Sequence, residues 1–334
     1  MGDAALFADL VHAAGGMWER LGPREEFEEW LGHCLADPRT SPGRVIDSLI
    51  RRVAVACHVG DLNRATADLE RARMLAPASD ELRRAWVHLY EPWLLLLAGD
   101  LEGAAEHVDR VRRAVAAAGN PVELQVYHLL LVASVGPDPE TARAAHDDIL
   151  RLTLAHDLYP MTGTALNISC ELDLEQGRYE RVLAMAELGL KITRAAEDSY
   201  RFGWILSQRG LARLETGDLD GALADLRASL ELARSDSFTK GLEDILRLAT
   251  WCVRSKRHEM GATLLGVYEA AASLVDSADS VLVGRSRRRD LAELPAMLGA
   301  GYEAAVQRGR ALVAASGKDG PLTATLRFLD HAMR

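Results

Sequence analysis

Ten histidines and four cysteines are the residues of this 334-residue chain best suited to proton transfer, nucleophilic attack or metal binding. Their spacing supports none of these. The histidines, among them His58, His88, His107, His128, His146 and His156, form no HExxH pair and no close His/Cys set. Cys34, Cys57, Cys170 and Cys252 lie far apart without a CxxC, which reads as reduced, mostly buried thiols of a cytosolic protein. Cys170 follows Ser169 on a helical stretch with no base nearby in sequence. No serine sits in a GxSxG elbow. No GxxxxGK[ST] loop is present to cradle a phosphate; Gly189-Leu190-Lys191 lacks the upstream glycine and the Ser or Thr. The expectation is a chain with no catalytic residues, no metal and no cofactor.

The groups that stand out are single polar and aromatic residues set into apolar helices, and a repeat positions them. Its clearest copy is Gly217-Asp218-Leu219-Asp220-Gly221-Ala222, matched by Gly60 to Ala65 and Gly99 to Ala104. Gly177 to Val182 is looser, and Pro137 to Ala142 and Arg257 to Ala262 are worn. The sixth positions are separated by 39, 38, 40, 40 and 40 residues, a period that marks a repeat architecture. Apolar residues recur at three-to-four spacing on both sides of each turn. The glycine ends one helix in the left-handed cap, the aspartate caps the next, and the small sixth residue lets the two helices approach. Such a hairpin cannot bury its apolar faces alone, so neighbours must stack. The turn resembles that of the tetratricopeptide repeat. Its usual period of ~34 residues is exceeded here, so the helices should each be about a turn longer.

The fold expected is an all-α, tetratricopeptide-like helical-hairpin solenoid of about six repeats with extra terminal helices. Residues 1–43 hold an N-terminal helical pair, 44–275 the repeats and 276–334 the C-terminal capping helices. Leu6, Leu10 and Met17 mark the first helix. Pro23 opens the second at a favourable first position, with Phe27, Trp30, Leu31 and Leu35 as its stripe. Ser79 or Asp80 caps the helix that follows Pro77. Pro92 falls inside a helix and should kink or divide it. Arg285, Arg287, Arg288 and Arg289 form a basic cluster that fits a solvated helix start better than a phosphate site.

The net charge of −10 opposes a general nucleic-acid surface. No apolar run reaches the ~18 residues of a membrane span. Met1 to Leu10 carries Asp3 and Asp9 without a basic start, so no signal peptide and a cytoplasmic location are expected.

If the first helix of each pair lines a groove, defined rows face it. Thirteen residues before the turn lie Asp47, Trp86, Leu124, Thr164, Trp204 and Asp244. Ten before it lie Ile50, Leu89, Tyr127, Asn167, Ser207 and Arg247, and six before it Ala54, Trp93, Leu131, Glu171, Leu211 and Trp251. A few polar groups among apolar walls suit a small-molecule or peptide pocket. The groove candidates are Trp86, Tyr127, Asn167, Glu171, Trp204, Arg209 and Arg247, while Trp93 and Trp251 read as packing between repeats. The row eight before the turn, normally leucine, holds Arg52, Glu91, Leu129, Ser169, Arg209 and Ala249. A charge there needs a partner or solvent. Arg209 either anchors a carboxylate or phosphate or forms a structural salt bridge; Arg52 and Glu91, one repeat apart, are expected to pair.

Two stretches outside the repeat turns carry a wider resemblance. One is Trp18-Glu19-Arg20-Leu21-Gly22 with Glu25, Trp30-Leu31 and Leu35. The other is Ala262-Thr263-Leu264-Leu265-Gly266-Val267-Tyr268, followed by Leu298-Gly299, Tyr302-Glu303-Ala304-Ala305 and Arg308-Gly309-Arg310-Ala311-Leu312. With the repeats, these resemble the C-terminal sensor region of AfsR-like and LuxR-type bacterial transcriptional regulators, over about residues 15–315. The resemblance implies an ATPase module before the repeats and a helix-turn-helix at one end. Neither is matched by residues here, so this chain is read as a sensor portion of such a regulator or a standalone protein of the same descent.

Three functions follow as expectations. The first is a non-enzymatic sensor or scaffold binding a peptide, a protein segment or a small effector in its groove. The second is a self-association module, a homodimer through a solenoid end bearing Leu322, Leu326, Phe328 and Leu329. The third is a repeat scaffold repurposed as an enzyme through Asn167, Glu171 and Arg209.

Overall fold

The computed structural model describes residues 4–15, 25–77, 80–136, 138–236, 238–274, 287–317 and 320–333. These residues are helical with short turns and no strand. The chain forms two compact units, residues 1–165 and 166–334. The first begins with α1 (Ala4–Ala13) and α2 (Glu25–Ala36). Three hairpins follow: α3 (Pro42–Val59) with α4 (Leu62–Leu75); α5 (Glu81–Leu97) with α6 (Leu101–Glu106) and α7 (Val108–Ala117); and α8 (Val122–Val135) with α9 (Pro139–Ala155). The boundary falls inside α10 (Tyr159–Glu175), which pairs in sequence with α11 (Tyr179–Ala195). The second unit continues with α12 (Ser199–Thr216) and α13 (Leu219–Asp236), then α14 (Phe238–Arg254) and α15 (His258–Ala272). It ends with α16 (Arg287–Ala292), α17 (Leu294–Leu298), α18 (Gly301–Ala315) and α19 (Gly320–Ala332). The architecture is the all-α hairpin solenoid expected, and many of the repeat helices run to 17 or 18 residues.

The turn chemistry is as the repeat implies. Gly60, Gly99, Gly177 and Gly217 adopt φ of 82°, 85°, 69° and 87°, the left-handed position that ends each first helix. Asp61 accepts from the Arg64 amide at 3.0 Å, Asp100 from that of Gly103 at 2.8 Å and Asp218 from that of Gly221 at 2.9 Å. Ala65, Ala104, Ala142, Val182 and Ala222 are buried at the hairpin crossings. The sixth copy is displaced by one residue from the sequence reading. Lys256, at φ 62°, takes the left-handed position and Arg257 the cap. Gly261 then occupies the crossing, where a Cβ would lie 3.2 Å from the Ala249 carbonyl. A frame shifted by one puts Glu243, Leu246, Leu248 and Thr250 in the rows assigned above to Asp244, Arg247, Ala249 and Trp251.

Other expectations change locally. Helix α5 runs unbroken through the buried Pro92. Leu6 and Leu10 face solvent, and Ala8 and Val11 supply the buried stripe of α1. On α2, Phe27, Leu31 and Cys34 are buried whereas Trp30 is exposed. Asp80 caps α5 through the Arg83 amide. Met17, Pro23 and the Trp18 to Gly22 stretch lie outside the described residues, as do the side chains of the arginine cluster.

The last helices close the second unit on itself. Helix α18 crosses α15 at two glycines: a Cβ on Gly309 would collide with the Thr263 carbonyl, and one on Gly266 with that of Val306. Arg310 bonds Glu269 at 2.9 Å beside this crossing, and Arg308 pairs with Glu259. Helix α19 packs against α13, α14, α15 and α18. Its Leu322, Leu326 and Leu329 are buried and Phe328 is half-buried against the same core. The apolar face assigned to self-association is therefore covered by the chain's own helices.

Candidate functional site

In the second unit three first helices, α10, α12 and α14, bring a chain of polar groups together. Gln208 sits between the others and is fully buried. Its Nε2 donates to Asn167 Oδ1 at 3.1 Å and to Glu171 Oε1 at 2.8 Å. Asn167 Nδ2 donates to the same Glu171 oxygen at 3.4 Å. On its other side Gln208 Oε1 accepts from Arg247 Nη2 at 3.3 Å. Arg247 also bonds Ser207 Oγ and reaches Glu243 at 3.4 Å. Gln208 and Arg247 each stand nine residues before their left-handed turn residue, Gly217 and Lys256, so successive hairpins place them side by side.

A second cluster adjoins through Ser207. Ser207 Oγ bonds Asp244, whose other oxygen accepts from Lys240 Nζ and from Ser229 Oγ, both at 2.8 Å. Lys240 Nζ also donates to the Ser229 carbonyl at 3.1 Å, and the Gly203 carbonyl, 2.8 Å from Ser229 Oγ, is the alternative acceptor for its one hydroxyl hydrogen. Gly203 lets Lys240 pack close to α12: a Cβ there would lie 3.3 Å from Lys240 Cε. Lys240 is 2 % exposed, Asp244 0 % and Arg247 1 %. Burial pushes the Lys240 pKa down, and Asp244 opposes that shift. Arg247 Nε is buried with no hydrogen-bond partner among the described residues.

Trp204 is half-buried at the edge of this cluster. Lys240 Nζ lies 6.0 Å from its ring centroid, and Tyr200 meets it edge-on at 6.3 Å. Burial raises the Tyr200 hydroxyl to about 12. Asn167, Glu171 and Trp204 thus form a half-buried rim around an interior of fixed ions. In the first unit, Trp86 of α5 meets Tyr127 of α8 edge-on at 5.5 Å and stacks on Tyr90 at 6.2 Å. All three rings are half-buried and join neighbouring hairpins.

Arg209 belongs to neither group. It makes hydrogen bonds of 2.8 and 2.7 Å to Asp225 and one of 2.5 Å to Glu187. Arg213 adds a 2.8 Å bond to the same buried Asp225. Arg52 holds Asp68 in the same way, with two bonds of 2.9 Å. Glu91 pairs instead with Arg110 and lies 3.5 Å from His88. The expected Arg52–Glu91 pair is replaced by two pairs inside separate hairpins, and Arg209 is a structural salt bridge. The enzyme reading drew on Asn167, Glu171 and Arg209; of these Arg209 bonds Asp225 and Glu187, whereas Asn167 and Glu171 meet at Gln208.

Trp251 is buried and donates from Nε1 to the Leu219 carbonyl at 2.8 Å, as a packing residue does. The thiols are free, with Cys34, Cys170 and Cys252 buried and Cys57 half-buried. Burial raises Cys57 and Cys252 to about 12, which removes nucleophilic thiolate at neutral pH. No group of three or more His, Cys, Asp or Glu among the described residues could hold a metal. No helix among them is long and apolar enough to cross a membrane.

Gln208, Lys240 and Glu243 were missed by the rows read from sequence. A buried Lys-x-x-Asp/Glu-Asp/Glu-x-x-Arg run, Lys240 to Arg247, was the available signal. Helical spacing puts Lys240, Asp244 and Arg247 on one face of α14.

No known family profile matches the chain. No curated protein matches it either. Among solved structures, it is similar to a Signal Transduction ATPase with Numerous Domains (STAND) protein with a tetratricopeptide repeat sensor from Pyrococcus horikoshii. The TM-score is 0.60 at 14 % identity, over 92 % of this chain and 47 % of that one. The chain thus spans about half the length of that neighbour, and the likeness is one of fold: a tetratricopeptide-like helical solenoid.

Proposed function

We propose that this chain is a non-catalytic sensor or scaffold module that binds a peptide, a protein segment or a small effector along the first helices of its hairpins. The observation that carries the reading is the buried polar seam linking α10, α12 and α14. An apolar seam of the same volume would hold the hairpins at least as firmly, since burying ions carries a desolvation penalty. Directional bonds through Gln208 and Arg247 instead specify one arrangement, and a ligand-bound form would differ from the free one in which of these bonds are made. A ligand touching Asn167, Glu171 and Trp204 at the half-buried rim would reach Gln208 directly. It would bias the hairpin arrangement in proportion to its differential affinity for the two. The fold of the archaeal neighbour, whose repeats are described as a sensor, is consistent with this role. The resemblance to AfsR-like and LuxR-type regulators extends the proposal to the regulatory part of a bacterial signalling ATPase, with the ATPase and DNA-binding steps carried elsewhere.

The test is native mass spectrometry of the full chain purified gently from its own host, beside Glu171→Ala and Asn167→Ala variants. A bound peptide or small molecule present in the parent and lost from both variants is expected. Retention of the same mass in both variants would remove the seam from the binding site.

A further inference from the structure

The first unit carries a cleft between two second helices and the first helix that joins them, separate from the seam. It measures about 360 Å³ and lies between α7, α8 and α9. Val115, Leu129 and Leu152 line its apolar part, and Arg112 and Arg151 stand on its two sides. Both arginines are exposed and bonded only weakly within their own helices: Arg112 to Asp109 at 3.2 Å and Arg151 to Asp148 at 2.7 Å. Exposed pairs one turn apart are worth little, so either guanidinium can turn to another carboxylate. Two cations against one lining carboxylate contrast with a chain of net charge −10.

The second unit shows what such a cleft accepts. Counted from each turn, Arg112 and Val115 of α7 correspond to Leu230 and Ala233 of α13. Asp148 and Leu152 of α9 correspond to Val267 and Ala271 of α15. In the second unit all four positions are apolar and buried. There α19 packs on both α13 and α15, with Leu322, Leu326 and Leu329 in the core cluster that also holds Leu230, Ala233 and Val267. At its margin Asp330 pairs with Arg227 of α13. One amphipathic helix with a carboxylate toward an arginine therefore covers the space between two second helices.

We propose that the α7–α9 cleft is a docking surface for an amphipathic helix of a partner protein. That helix carries a short apolar stripe for Val115, Leu129 and Leu152 and carboxylates for Arg112 and Arg151. Polar residues where the second unit has Leu230 and Val267 suit an occupant that comes and goes, whereas α19 is covalently tethered. This surface goes beyond the seam and does not depend on it.

The test uses the full chain and a fluorescein-labelled peptide patterned on residues 320–333, with Thr323→Glu and Arg327→Glu added. Binding followed by anisotropy should weaken about tenfold or more in an Arg112→Glu/Arg151→Glu double variant and fall as salt rises. Both arginines are exposed, so the variant should keep its circular dichroism spectrum and melting temperature; an Arg112→Lys/Arg151→Lys variant, which keeps the charge, covers the case in which the reversal misfolds. A photo-crosslinker on the peptide should label α7 and α9. Unchanged affinity in the double variant, crosslinks confined to the seam helices, or no binding at millimolar chain concentration would overturn the proposal. So would binding of citrate without the peptide, which would make the cleft a small-anion site.

Discussion

Arg209 and Asp225 stand eight residues on either side of Gly217 and bond through one guanidinium edge, Nε and Nη2, at 2.8 and 2.7 Å. Arg52 and Asp68 repeat the relationship around Gly60. In each hairpin the pair ties the first helix to the second near their crossing. The charge in a row normally held by leucine is thus a built-in clasp. Asp225→Ala should destabilise the second unit by about 3 kcal/mol, because it leaves two arginines facing a buried site. The double variant Arg209→Met/Asp225→Leu should cost clearly less. Urea denaturation of the two variants checks the order, and equal losses would mean that the pair is not the unit of stability.

Gly309 and Gly266 let α15 and α18 touch backbone to backbone. Gly309→Ala should force the helices apart and cost about 3 kcal/mol, the upper part of the overpacking range. Hydrogen exchange should then rise in α18 before it rises in α12. A variant as stable as the parent would show that the crossing can relax.

Lys240 is held inside the second unit by Asp244 and Ser229. Lys240→Met should leave Asp244 buried without its cation and lower stability by about 3–5 kcal/mol. Adding Asp244→Leu should recover part of that loss. A double-mutant cycle read by thermal unfolding measures the coupling; additive losses would mean that the two residues act independently.

Histidine titration makes stability depend on pH. Burial lowers the pKa of His12, His107 and His128 below the ordinary value of 6.5. Around His128, Arg112 lowers it further, while Asp109 and a bond to the Val108 backbone raise it. Each group binds its proton more readily in the unfolded chain. The stability they contribute is complete above 6.5 and is lost as pH falls from there through the lowered folded values. The melting temperature should fall between pH 7.5 and 5.5, and less so in a His128→Gln variant. A flat profile in the parent would contradict the assignment.

Much of the fold was legible in the chain because it is set by local rules. Gly217 must be left-handed and Asp218 must cap wherever such a turn occurs, so the repeat and its helices follow from residue types and spacing. The sixth copy shows the limit: Lys256 replaces glycine, and only the backbone reveals that the register begins there. The site was legible in part. Asn167 and Glu171 were readable as polar groups at groove spacing, Arg247 in a register one residue out, and Trp86 and Tyr127 as aromatics of the same rows. What each polar group bonds was not. Arg209 could face a ligand or a partner from sequence alone, and Asp225, sixteen residues away, decides it. The burial of Leu322, Leu326 and Leu329 likewise depends on α19 returning to α13 and α15. Sequence by itself determined the hairpins, since caps and apolar periodicity act within a few residues. The tertiary structure decided which charges are clasps, which form the seam and which apolar face is covered, because those outcomes depend on contacts between helices far apart in the chain.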